Sequence, residues 1–167
     1  DPKDKYLLSF DPSWAENPES DDFAMQLFKL NDETKTGTLV HSYAVHGSNL
    51  KPHMDYMLYL VQNFNIVMMW GDYNGGVQFI NSCNESKGFR DAGIKLGVML
   101  EEFDSVEDYQ TCLAKGKQEY NLENRHYVCL RIPTADWIRR ANESLQASID
   151  HKRILFAGRC LNAAYNE

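Results

Sequence analysis

The stretch Asn65-Ile-Val-Met-Met-Trp-Gly-Asp-Tyr-Asn-Gly-Gly76 decides how the chain is organised. Ile66 to Trp70 is its longest wholly apolar run, and a short continuous run of this kind suits a strand covered on both faces. Upstream, Pro52 opens a segment in which Met54, Met57, Leu58, Val61 and Phe64 recur at helical spacing. Proline is well tolerated in a first helical turn, so this segment is predicted to be an amphipathic helix. A helix that feeds a buried strand is a crossover, and the strand can therefore return parallel to an earlier one.

The earlier strand is Lys5 to Phe10, an apolar run stopped at Asp11-Pro12. Phe23 to Leu30 nearly alternates, Thr38 to Val45 is a second β-like run, and the polar link from Asn31 to Gly37 predicts a hairpin between them. Links this short allow only an antiparallel meander for the first three strands. Beyond Gly76 the patterning predicts a helix over Val77 to Cys83, a strand over Ile94 to Leu100, a helix over Val106 to Lys115 and a short strand over Tyr127 to Ile132. A helix follows over Ala135 to Asp150, with Thr134 as its N-cap and Asp136 complementing the dipole, and Ile154 to Ala157 closes as a short apolar piece. No repeat, low-complexity tract or linker interrupts residues 1–167. The expectation is one α/β domain, a mixed sheet of a three-strand antiparallel meander plus parallel strands, flanked by helices.

Composition sets limits on function. With 43% hydrophobic and 25% charged residues among 167, neither a disordered nor a membrane class fits. The longest apolar run falls far short of the roughly 20 residues a bilayer requires. Without an apolar leader in sight, the expectation is a soluble, cytoplasmic chain with no membrane partner. Cys83, Cys112, Cys129 and Cys160 have no zinc-site spacing and are expected to be reduced packing residues. The net charge of −7 argues against indiscriminate coating of nucleic acid. Lys and Arg are uneven, however, with 5 of the 17 before residue 80 and 12 after it, so a local basic face can still meet phosphates.

If the strands ending at Asp11 and Asp72 are neighbours, their carboxylates face one another across about 5 Å of sheet spacing. Two such charges repel unless a cation lies between them, and hard oxygen ligands suit Mg²⁺ or Mn²⁺. A pair of these ions can activate water and stabilise the leaving oxygen of a phosphodiester. Taken singly, an Asp at a strand end is an ordinary turn residue.

The stretch from Leu7 to Ala24, Leu-Leu-Ser-Phe-Asp-Pro-Ser-Trp-Ala-Glu-Asn-Pro-Glu-Ser-Asp-Asp-Phe-Ala, resembles the opening of the nuclease domain of viral large terminases, within the ribonuclease-H-like superfamily. It shares the apolar strand, the aspartate, the small polar loop and the acidic entry to a second strand. Ile66 to Gly76 is similar to that family's second motif, an acidic strand end followed by Asn and Gly. Ala141 to Asp150, then Arg153 to Ala157, resembles the helix and short strand before its last acidic motif. The resemblance implies a ribonuclease-H-like sheet, two Mg²⁺ or Mn²⁺ ions and an endonuclease acting on double-stranded DNA. Asp11 and Asp72 would be its catalytic metal ligands, Asp22 and then Asp21 accessory acids, and Asn74 a turn-shaping residue. The family's third acid follows its last short strand, where this sequence carries no recognisable counterpart; Asp150 falls on the preceding helix.

Further candidates stand beside these. Arg139, Arg140, Lys152 and Arg153 suit a DNA-contacting face. His41 and His46 lie on the third strand, and Met54 and Met57 read as core filler. No GxxxxGK(S/T) stretch occurs, so the packaging motor the resemblance implies would be a separate, preceding ATPase domain working with phage packaging machinery. Another ribonuclease-H-like nuclease, such as a junction resolvase or ribonuclease H, fits the same two carboxylates, and so does a non-catalytic nucleic-acid or assembly module on the same fold.

Overall fold

The link from Asn31 to Gly37 closes as a tight turn. The Asn31 side-chain oxygen accepts hydrogen bonds from the backbone N–H groups of Glu33 (3.0 Å) and Thr34 (3.1 Å), and Lys35 takes a φ of 54°. The strands it joins are β2 (Phe23–Asn31) and β3 (Thr36–Val45), and β2 also pairs antiparallel with β1 (Lys5–Asp11). The computed structural model describes residues 3–13, 21–99, 111 and 125–156.

Helix α1 (Leu50–Asn63), capped by the Asn49 side chain, carries the chain to β4 (Ile66–Asp72), which pairs parallel with β1. Two helices follow, α2 (Tyr73–Glu85) and the short α3 (Lys87–Asp91), and then β5 (Lys95–Met99). Strand β6 (Arg125–Arg131) leads into α4 (Ala135–Asp150) and β7 (Ile154–Phe156). One seven-stranded sheet results, in the order β5-β6-β4-β1-β2-β3-β7. Every strand pair in it is parallel except β1–β2 and β2–β3, so β2 alone runs against the others. This is a mixed α/β sheet flanked by helices, consistent with a ribonuclease-H-like arrangement.

Most elements lie where sequence patterning puts them, and the differences have local causes. Asp72 caps α2, and Asn74 and Gly75 depart from helical geometry, so the regular helix expected from Val77 gains an irregular first turn beginning at Tyr73. The short α3 is an addition to the expected elements; Ser86 caps it, its hydroxyl accepting from the Phe89 N–H at 3.3 Å. The helix expected over Val106 to Lys115 lies, apart from residue 111, outside the described residues, as do Leu100, Ala157, Cys112 and Cys160.

Alternation along the strands divides the sheet into two faces. Leu8, Phe10, Met25, Leu27, Met69, Val128 and Leu130 share one face by register, and all are buried. Met57, Leu60 and Val61 of α1, Phe79, Ile80 and Cys83 of α2 and Phe89 of α3 pack with them in a single cluster. Phe23 lies at its centre, 4.7 Å from Phe79 and 6.5 Å from Phe10 between ring centroids. Met57 is fully buried, as a core methionine should be, and Cys83 and Cys129 are buried and form no disulfide; burial pushes the Cys83 thiol up to about 12. The other face carries Ser9, Asp11, Trp70, Asp72, Cys129 and Arg131. Helix α4 returns the chain from the end of β6 to the start of β7 with no residue buried, leaving Ile138, Leu145 and Ile149 at 44%, 48% and 43% exposure.

Among the described residues one polar side chain sits in the core. His53 is 1% exposed, stacks on Phe23 at 4.3 Å, and shares a 2.8 Å hydrogen bond between Nδ1 and the Tyr43 hydroxyl. Burial holds its pKa below the ordinary 6.5, against a smaller opposing effect of the Gly47 backbone. The unfolded chain thus takes up a proton near 6.5 and the folded chain only at lower pH. The fold should therefore be at full strength above about 6.5 and lose stability as pH falls from there towards the folded value. Thermal melts of the parent and of His53→Phe between roughly pH 8 and 5 should show a parental loss that the variant lacks; equal pH dependence would contradict it.

Candidate functional site

The pairing of β1 with β4 sets the geometry of the site. Its register runs Leu8 to Met69, Ser9 to Trp70 and Phe10 to Gly71, and Asp11 and Asp72 are the next residues on the two strands. Both carboxylates therefore leave the same sheet face at the C-terminal ends of adjacent parallel strands, where open α/β sheets bind ligands. Gly71 makes the close approach possible. A Cβ there would meet the Phe10 ring at 2.6 Å from Cε1 and 2.8 Å from Cε2, so only glycine lets that ring cover the strand beneath the two acids.

Asp11 is held above the ordinary carboxylate value of 3.8, first by partial burial, then by the charge of Asp72, then by that of Asp21. The charges of two other carboxylates thus act on Asp11. Asp72 also serves the backbone, for its Oδ1 accepts from the Asn74 N–H at 2.8 Å and caps α2. Asn74, with ψ of 111°, and Gly75, with φ of 79°, form the turn this cap requires. Asp22 points to another partner, with Oδ1 3.3 Å from Nδ1 of His46, and both side chains are well exposed. Of the two acids before β2, Asp21 is the one whose charge reaches Asp11.

A cleft of about 290 Å³ opens over the pair. Ser9, Asp11, Trp70 and Asp72 form its floor, and Arg131, Pro133 and Trp137 its wall. Arg131 is the register partner of Asp72, and its guanidinium carbon lies 6.0 Å from the Trp70 ring centroid and 5.1 Å from that of Trp137. Sequence reasoning missed Trp70, Arg131 and Trp137 as site residues. The available signal was the period-2 spacing of Trp70 with Asp72; Arg131 needed the knowledge that β6, and not β5, is the neighbour of β4.

The basic candidates divide. Arg139 and Arg140 lie on α4 just past Trp137, but Arg139 pairs with Asp136 (2.8 Å) and Glu143 (2.9 Å), and Arg140 with Asp136 (3.0 Å). Lys152 and Arg153 precede β7, whose Ile154 is level with Gly37, Leu30 and Lys5. That is the N-terminal end of β1, the opposite end of the sheet from Asp11. His41 is likewise remote, its Nδ1 3.2 Å from the Tyr56 hydroxyl and its ring against Phe64.

The donor set is hard oxygen, and burial, with the charges of Asp72 and Asp21 added to it, disfavours the ionised form of Asp11, a cost that a divalent cation would relieve, so the pair fits such an ion. Among the described residues no third His, Cys, Asp or Glu completes a metal-holding group. Among them, too, no helix is long and apolar enough to cross a membrane.

Two outcomes follow from this geometry. Gly71→Ala should destabilise the fold by about 1–3 kcal/mol, the usual cost of overpacking, in chemical denaturation; an unchanged midpoint would mean that the Phe10 ring moves aside freely. Because Asp11 ionises against its surroundings, Asp11→Asn should raise the melting temperature near pH 7, and the gain should vanish below the ordinary value of 3.8, where both states carry the proton. A melting temperature lowered at neutral pH would contradict that. No family model, curated protein or solved structure matches this chain.

Proposed function

We propose that the chain is a metal-dependent endonuclease that hydrolyses DNA phosphodiesters, of the kind found in the nuclease domain of viral large terminases. The observation that carries this is the meeting of Asp11 and Asp72 at adjoining ends of parallel β1 and β4, on a sheet in which β2 alone is reversed. Asp11 and Asp72 would hold Mg²⁺ or Mn²⁺, two ions in the terminase-like case. A bound divalent ion supplies Lewis acidity and lowers the pKa of its water. What the chain itself contributes is orientation. The cap to Asn74 fixes one Asp72 oxygen and leaves the other for the cleft, while Asp21 adds negative potential beside Asp11. Double-stranded DNA is the proposed substrate, and a separate motor domain the proposed partner.

A second reading, a nucleic-acid or assembly module without catalysis, is favoured by one observation. Only two of the carboxylates such a site uses come together among the described residues.

Supercoiled plasmid with Mn²⁺, with and without chelator, separates the two. The parent should nick the plasmid only with metal present. Asp11→Asn and Asp72→Asn should each reduce nicking by more than the roughly 10–100-fold that loss of an outer-shell partner costs. Asn serves as well as Asp at an N-cap, so Asp72→Asn keeps α2 intact and removes only the charge. Parental cutting by either variant would end the assignment of that residue, and an inert parent would favour the second reading.

A further inference from the structure

We propose that the exposed apolar stripe of α4 is the seam of a homodimer, in which a second copy of this chain lays its own α4 antiparallel against the first. This association is independent of the nuclease reading.

The stripe is not the side on which the helix rests. At about 3.6 residues per turn, Ile138, Leu145 and Ile149 fall within about 40° of one another on the helix surface. They are the residues left 44%, 48% and 43% exposed. The half-buried residues of α4 are Trp137, Ala141 and Ser148, and these form a separate line about 80° away. The helix thus meets the domain through one indole and two small side chains, while its large aliphatic side chains face solvent. Exposed aliphatic residues that line up in this way mark a contact surface. With Asn142 included, the stripe steps by four, three and four residues, the spacing of the inward positions of paired helices. A polar residue at such a position sets the alignment of the pair at a cost in strength, so the association is a weak one.

Charge identifies the occupant as a second copy and gives its direction. On the flank of the stripe away from the half-buried line, Arg139 stands towards the N-terminal end of the helix and Asp150 at its C-terminal end. An antiparallel copy brings Arg139 towards the partner's Asp150, and two-fold symmetry makes the contact twice. A parallel copy would set like charge beside like. Within one chain Arg139 is tied to Asp136 and Glu143, and Asp150 accepts from Gln146. All of these are exposed contacts that contribute little in water, so they do not hold either charge back from a partner. Opposed helix dipoles favour the same direction. A stripe with opposite charges at its two ends is its own complement.

Sedimentation equilibrium of the whole chain from about 5 to 300 µM, the range of a weak interface, tests this. The parent's average mass should rise from that of one chain towards that of two. Leu145→Lys should weaken association at least tenfold. Arg139→Glu and Asp150→Lys should each weaken it about fivefold, and an equimolar mixture of these two variants should recover the parental strength, because opposite charges meet again. Amide exchange in α4 should slow as concentration rises, while exchange in β1 and β4 should not change. A parent that stays monomeric throughout would overturn the proposal and leave the stripe to a different protein. Parental association by Leu145→Lys, or a mixture no stronger than its components, would also overturn it. Should Leu145→Lys not fold, parental association by Asp150→Lys would do so.

Discussion

Everything that gives this domain a site depends on the contact of Phe10 with Gly71 across the β1–β4 pair. Parallel strands are less forgiving than hairpins, because no short turn sets their register and side-chain packing must do so. Here the Phe10 ring lies over a residue without a side chain and is braced behind by Phe23 and Phe79. A shift of one residue would put the ring against Trp70 or Asp72 and move Asp72 to the face opposite Asp11. The same aromatic packing that stabilises the core therefore holds two like charges side by side, an arrangement that electrostatics alone would oppose.

Asp11 ionises less readily than a free carboxylate, first because it is partly buried and then because of that opposition. Strain of this kind is characteristic of functional sites, where the surrounding fold over-determines a locally unfavourable state. Asp72 escapes part of the conflict by capping α2, which gives it a structural reason to occupy its place whatever the chemistry above it. The two acids are thus unequal: one is tied into a helix terminus, and the other stands between partial burial and two negative neighbours.

Much of this is legible in the sequence because it is local. The apolar run from Ile66, the helix from Pro52 that feeds it and the polar turn after Asn31 each act within a few residues, and together they imply the meander, the crossover and the meeting of Asp11 with Asp72. Strand order beyond β4 is not legible, since β6 lies between β4 and β5 in the sheet although β5 precedes it in sequence, and no periodicity records that choice. Arg131 is therefore invisible as a neighbour of Asp72, although its own strand is recognisable. His53 escapes notice for another reason. It stands on the apolar side of α1 in a spacing that Met54 and Met57 already explain, and only the Tyr43 hydroxyl of β3 shows what its ring nitrogen does. The basic residues around Arg153 fail as a cleft rim because sequence proximity to α4 says nothing about the end of the sheet at which β7 begins.

Helix α4, with no residue buried, has a consequence for the timescale on which the cleft changes shape. Amide hydrogen exchange in a folded protein reports local opening, and elements with few buried apolar contacts open at a small fraction of the global free energy. The sheet under the acids carries buried core residues, whereas the helix that supplies Trp137 buries none. The two sides of the cleft should therefore exchange on different timescales, the sheet side slowly and the helix side fast.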